Sequence, residues 1–148
     1  MIPPWPIELA YIAGLWDGEG CFTIGYTKVK RRRKSPYWYA IASICMTDRR
    51  ALDILHNIYG GRVYKHYNKG VKKDVYHWKL WSRKASAFAD SIYEFLVIKK
   101  EAANLLILFQ NHMDNFKGGG GKLLSEQEIS FRNDLYKRMK GLNHRGKV

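Results

Sequence analysis

The sequence is poor in cysteine, in long apolar runs and, over its middle, in acid. Two cysteines, Cys21 and Cys45, are too few for a disulfide framework or an unaided zinc site. Each lies in an apolar, strand-like run, where a small buried thiol is the expected state. There is no apolar run of about eighteen residues, which excludes a membrane-spanning helix. Residues 1–6 carry no basic cluster, and Glu8 interrupts the apolar stretch that follows. A secretory signal is therefore not expected, and an intracellular, reducing compartment is.

Acid is scarcest where base is densest. Residues 21–84 hold 16 Lys/Arg against 3 acids, Asp48, Asp53 and Asp74, while the other 84 residues balance 10 against 10. The whole net charge of +13 therefore comes from one segment of a 148-residue chain. A charge that served only solubility would be dispersed; a concentrated one reads as a binding surface for a polyanion, nucleic acid before an anionic membrane. A hydrophobic content of 46% is enough for a packed core.

Periodicity divides the chain. Pro6 suits a first helical turn, and residues 7–16 are helical in character until Gly18 and Gly20. Residues 21–31 alternate as a half-buried strand, and 37–46 as a second. Between them lies a basic turn with Arg31, Arg32 and Arg33. Asp48 is placed to cap a helix over 49–59. Gly60-Gly61 ends that helix, and 62–67 and 75–82 read as two more strands. Ser82 is placed to cap a helix over 83–96, and 99–113 forms the next. After the glycine run at 118–121, Ser125 with Glu128 three residues on has the form of a capping box for a last helix. The expectation is an α+β domain over residues 1–117, with residues 118–148 a Gly-rich linker and a C-terminal helix packed on or extending it.

Alternation assigns the sheet two faces. One buries Phe22, Ile24, Tyr26, Trp38, Ala40, Ala42, Ile44, Val63, Trp78 and Leu80. The other displays Thr23, Thr27, Arg31, Tyr37, Tyr39, Ser43, Arg62, Tyr64, His66, His77 and Lys79. These hydrogen-bonding and stacking side chains suit a β-surface that reads a DNA groove. Ile41 and Trp81 share that face and fit the role less well.

The most informative stretch is Ile12-Ala13-Gly14-Leu15-Trp16-Asp17-Gly18-Glu19-Gly20. Ala10, Ala13, Gly14 and Asp17 follow helical spacing, and small residues on one face let two helix backbones approach closely. The chain carries one such helix, so a second copy is the natural partner. Two Glu19 carboxylates would then meet near a two-fold axis, where like charges require a cation between them. Mg²⁺ prefers such oxygen ligands and shares them with phosphates.

This stretch resembles the signature of the LAGLIDADG homing endonucleases: Ala13, Gly14, Leu15, Asp17 and Gly20 match it letter for letter. The resemblance covers residues 7 to about 113. It implies the LAGLIDADG fold, α-ββ-α-ββ-α-α with a four-stranded antiparallel DNA-binding sheet, here with an extra C-terminal helix. It also implies a homodimeric, Mg²⁺-dependent, site-specific double-stranded DNA endonuclease that leaves 3′ overhangs and promotes the spread of an intron or intein. By resemblance Glu19 is a metal ligand, joined by the Gly18 carbonyl, and Asp17 caps the partner helix. Many family members have Asp where this chain has Glu19. The stretch 95–105 is similar to the family's segment before its late helix, which makes Lys99 the basic residue of the active site, with Lys100 the neighbour in register. Met46 falls where the family usually has a Gln, and Arg49 or, preferentially, Arg50 is the accompanying base. Met cannot orient a water by hydrogen bonding. The alternative on the same scaffold is a non-catalytic binder, an intron RNA maturase or a DNA-binding regulator. The glycine run lacks phosphate-loop spacing, and the histidines lack zinc spacing.

Overall fold

Residues 4–29, 35–67, 69–70, 73–118 and 123–144 are described by a computed structural model of the chain. Helix α1 (Pro6–Glu19) begins with proline in its first turn, and the Glu8 carboxylate accepts the Trp5 N–H at 2.8 Å. Strands β1 (Gly20–Thr27) and β2 (Tyr37–Met46) form a hairpin. Helix α2 (Arg49–Tyr59) leads into β3 (Arg62–His66) and β4 (Val75–Trp81). Helix α3 (Ser82–Ile92), a 3-10 turn (Tyr93–Phe95), α4 (Lys100–Asn115) and α5 (Glu126–His144) complete the chain. The four strands make one antiparallel sheet in the order β1-β2-β4-β3. The α+β class and the α-ββ-α-ββ-α-α order expected from periodicity are those observed.

The core lies between one face of this sheet and the helices. Trp16 of α1 meets Phe88 of α3 edge-on at 4.6 Å and Trp78 of β4 at 6.1 Å, and all three rings are buried. Such tilted aromatic pairs add about 0.5–1.5 kcal/mol each beyond the area they bury. Phe22, Ile24, Trp38, Ala40, Ala42, Ile44, Trp78 and Leu80 fill the inner sheet face as alternation requires. Tyr26 and Val63 are less buried: Tyr26 is exposed, its ring tilted 5.7 Å from that of Tyr136 of α5, and Val63, on an edge strand, is half-buried.

Local differences have local causes. Strand β1 ends at Thr27, and Arg31, Arg32 and Arg33 lie outside the described residues. Ser82 does not cap α3: it is the helix's first residue, held at φ 54°, and no side-chain bond caps this helix. At α5 only half of the capping box forms. The Ser125 hydroxyl accepts the Glu128 N–H at 3.1 Å, but the Glu128 carboxylate turns instead to His112 and Arg132, each at 2.7 Å. Helix α5 lies against α4 and β1, buries Leu135 and Met139, and donates from Asn143 Nδ2 to the Phe22 carbonyl at 3.0 Å. It thereby covers a backbone acceptor of an edge strand that would otherwise be open to pairing.

Candidate active site and nucleic-acid interface

The C-terminus of α1 gathers a set of polar contacts with the segment before α4. A helix end leaves carbonyls without intrahelical donors. Here the Gly20 N–H donates to the Trp16 carbonyl, and the Lys99 ammonium donates to Trp16 O at 2.9 Å and to Gly20 O. Glycine at position 20 is a packing requirement: a Cβ there would lie 2.2 Å from the Trp16 ring. The Asp17 carboxylate accepts the backbone N–H groups of Val97 at 2.9 Å, Ile98 at 3.1 Å and Lys99 at 2.9 Å. Burial pushes the Lys99 amine below its usual range, while Cys21, Asp17 and Glu19 pull the other way.

Glu19 follows as the last residue of α1, exposed, with a carboxylate in no ion pair among the described residues. It lines a pocket of ≈ 290 Å³ with Cys45, Met46, Thr47 and Val75 from the ends of β2 and β4. Cys45 is not a buried thiol. The alternation that buries Ile44 turns Cys45 to the open sheet face, where burial first and the Glu19 charge second push its pKa up.

That open face carries the candidate interface. Register sets Cys21, Ser43, Lys79 and Arg62 in one row across all four strands, with Cys45, His77 and Tyr64 in the next. Tyr64 stacks on His77 at 5.4 Å, and His66 lies 4.7 Å from the same ring. Burial, His66 and Lys79 together hold the His77 pKa below its ordinary value. Towards the other end Tyr37 and Tyr39 stack at 5.6 Å. The Tyr39 ring covers Gly25, where a Cβ would come within 2.5 Å of it.

No family model matches the chain, and no curated protein matches its sequence. Solved structures do. The homing endonuclease I-CvuI, in complex with the I-CreI target, superposes with a TM-score of 0.76 at 16% identity, over 96% of this chain and 85% of that one. The archaeal intron-encoded homing endonuclease I-Vdi141I, complexed with DNA, gives 0.74 at 17% identity, over 95% and 86%. The LAGLIDADG homing endonuclease I-LtrWI, bound to its target DNA, gives 0.70 at 14% identity, and this chain covers 93% of itself but 46% of that longer one. The fold is that of the LAGLIDADG homing endonucleases. At these identities the likeness speaks for the fold alone, and the site rests on this chain's own residues.

Within this LAGLIDADG fold, Thr23, Thr27, Tyr37, Tyr39, Ser43, Arg62, Tyr64, His66, His77 and Lys79 share the open sheet face. The α1 residues are brought together differently from the expectation. At about 100° per residue, the solvent-facing arc runs through Ile7, Ala10, Tyr11, Gly14 and Gly18. Ala13 falls on the inward side and is fully buried in its own chain's core, so it is not available to a second copy. Asp17 caps its own chain's segment before α4, not a partner helix, because three N–H groups at that helix start lie within its reach. Arg50 is engaged by its own helix cap. Its guanidinium is held at 2.6 Å by Asp48, whose carboxyl the same bond and the Arg50 N–H hold down at about 2. Arg49 pairs with Asp53 at 3.2 Å and lies over the Tyr76 ring.

The hard oxygen donors at the end of α1 fit a Mg²⁺ ion by type: the Glu19 carboxylate and the Gly18 carbonyl, one of the terminal carbonyls without an intrahelical donor. By number they fit only half a site, since no cluster of three His, Cys, Asp or Glu ligands exists among the described residues. Sequence reasoning missed Cys45, Thr47 and Val75 around Glu19. Strand parity could have placed Cys45 and Val75 on the open face; only the fold brings them to α1.

Proposed function

We propose that this chain is a site-specific double-stranded DNA endonuclease that acts as a homodimer with Mg²⁺. The observation that carries the reading is a single exposed carboxylate, Glu19, at the end of a helix whose small-residue face is open. Ile7 is 78% and Tyr11 53% exposed, and nothing lies near the Cβ positions of Gly14 and Gly18. A second copy on this face would cover that apolar surface and set a second Glu19 beside the first. The half-set of metal ligands would then be completed by the second carboxylate and the DNA phosphates. The ion would supply an activated water and charge stabilisation for phosphodiester hydrolysis. The basic, aromatic-bearing sheet would lie along the major groove on each side, with Lys79 and Arg62 as donors to phosphate or guanine. The DNA-bound states of the structures this fold matches support the partner.

The test is nicking of supercoiled plasmids carrying intron-insertion sequences, with Mg²⁺ as cofactor and with Ca²⁺ in its place. Glu19→Gln removes charge with little volume and should abolish cutting while gel-shift binding survives. Undiminished cutting by that variant would move the metal site elsewhere. Gly14→Leu tests the dimer, because its side chain enters open space in the single chain and obstructs only a second copy. It should fold, sediment as a monomer and fail to cut; a cutting dimer would refute the arrangement. One observation favours a second reading, a non-catalytic nucleic-acid binder: Met46 lines the Glu19 pocket and cannot orient a water. Binding without Mg²⁺-dependent nicking on any target would select it.

A further inference from the structure

We propose that the row Thr23–Ile41–Trp81 on the open sheet face reads the 5-methyl group of thymine in the major groove, so that each half-site carries a thymine outside the base pairs met by Lys79 and Arg62. The inference deepens the proposed function: it rests on DNA binding by the open face, and not on cutting or on Mg²⁺.

The open face changes chemistry along its length. Counted from the Glu19 pocket, one row holds Cys45, His77 and Tyr64, and the next Cys21, Ser43, Lys79 and Arg62. These two rows are rich in ionisable and hydrogen-bonding groups. The row after them is Thr23, Ile41 and Trp81, and it has three members because β3 begins at Arg62, opposite Lys79. Further out, the Tyr39 ring lies over Gly25 and stacks on Tyr37. From the Trp81 row outward, no strand residue of this face is charged among the described residues. Trp81 stands on β4, a central strand, yet is 49% exposed, with the half-buried Ile41 opposite it in register.

The Lys79 and Arg62 row is charge-complementary to a phosphate backbone, and the adjoining row calls for an apolar group on that same partner. The major groove offers one, the C5-methyl of thymine. The other base-edge groups it displays are donors and acceptors, and covering one of them with Ile41 or the Trp81 ring leaves it unpaired, which is costly. Thr23 adds a γ-methyl to the row, and its hydroxyl suits the hydrogen-bonding edge of the paired adenine. Two residues along a strand rise about 6.8 Å, roughly two base pairs at about 3.4 Å each. The thymine therefore stands about two pairs outward of the Lys79 contact.

Selection and methyl deletion test this on the full chain. Duplexes are selected from a randomised pool by gel shift with wild type in Ca²⁺. Each thymine of the enriched site is then replaced by uracil, which removes the methyl and keeps the pairing. The row predicts an enriched thymine about two base pairs outside the position whose preference Lys79→Gln relaxes. Uracil there should weaken wild-type binding about fourfold, the worth of one buried methyl. The factor should be the same at low and high salt, because a methyl contact releases no counterion. Ile41→Thr and Trp81→Gln should each shrink the uracil penalty at that thymine and leave it unchanged at the others. An enriched site indifferent to uracil, or a penalty undiminished in both variants, would overturn this inference alone and leave the row to a protein partner. A pool with no enriched sequence would overturn the site-specific reading and this inference with it. If neither variant folds, the uracil series on wild type decides.

Discussion

Gly20 and Ser82 illustrate two unlike reasons for a residue to be fixed at one position. Gly20 has extended backbone angles open to any residue, φ −81° and ψ 167°, yet its neighbour leaves no room for a methyl group. Gly20→Ala should therefore destabilise by about 1–3 kcal/mol through overpacking against Trp16. The check is a lower urea midpoint with an unchanged slope. Ser82 is the reverse case, with a left-handed φ of 54° that L-residues adopt at a cost. Ser82→Gly should stabilise by about 1 kcal/mol, and Ser82→Val should lose at least as much, both read as thermal midpoints.

Helix α5 is attached through the His112–Glu128–Arg132 cluster, in which the Arg132 side chain is 5% and that of Glu128 11% exposed. Burial alone would raise the Glu128 pKa, but hydrogen bonds from His112 and Arg132 outweigh it and hold the carboxyl below its ordinary 4.5. A carboxyl lowered in the folded state stabilises above its unfolded value and loses that contribution as pH falls through the folded one. Thermal stability of wild type should thus decline below about pH 4.5, and the decline should be shallower in Glu128→Gln. At neutral pH Glu128→Ala strands a buried guanidinium and should cost about 3–5 kcal/mol, whereas Glu128→Leu/Arg132→Met together should cost far less. An equal cost for the single and double variants would show that packing, not charge, holds α5.

For the whole molecule the concentration of charge sets a measurable quantity. A ten-residue strand such as β2 spans about 33 Å, so on the proposed reading one sheet would match about ten base pairs and a two-fold dimer about twenty in a near-palindrome. If about six to ten basic groups of the dimer meet phosphates, log affinity should fall against log salt with a slope of about −5 to −9. Neutralising Arg31, Arg32 and Arg33 together should flatten that slope. It should also shorten protection at the outer edges of the footprint, leaving the cut at its centre. A footprint under about ten base pairs, or affinity indifferent to salt, would contradict a sheet that reads DNA.

Periodicity alone determined the element order and most of the sheet's inner face, because a side-chain period of 2 or 3.6 is written directly into the chain. Helix α2 and strand β2 run over the residues their patterns marked. The basic segment, the small residues of α1 and the carboxylate at its end are likewise local facts. Tertiary structure decided what those patterns could not carry. The small residues of α1 span more than one helical side, and only packing against Trp78 and Phe88 settled that Ala13 turns inward and Gly14 outward. Glu128 meets the local rule for a capping box, but its carboxylate is taken by Arg132 one turn on in the same helix and by His112, which is reachable only once α4 and α5 are side by side. Asp17 and Lys99 stand 82 residues apart. No local pattern links them; the partnership exists because the fold brings the carbonyls of Trp16 and Gly20, at the end of α1, beside the N–H groups of the segment that enters α4, so that an ammonium meets the first and a carboxylate the second.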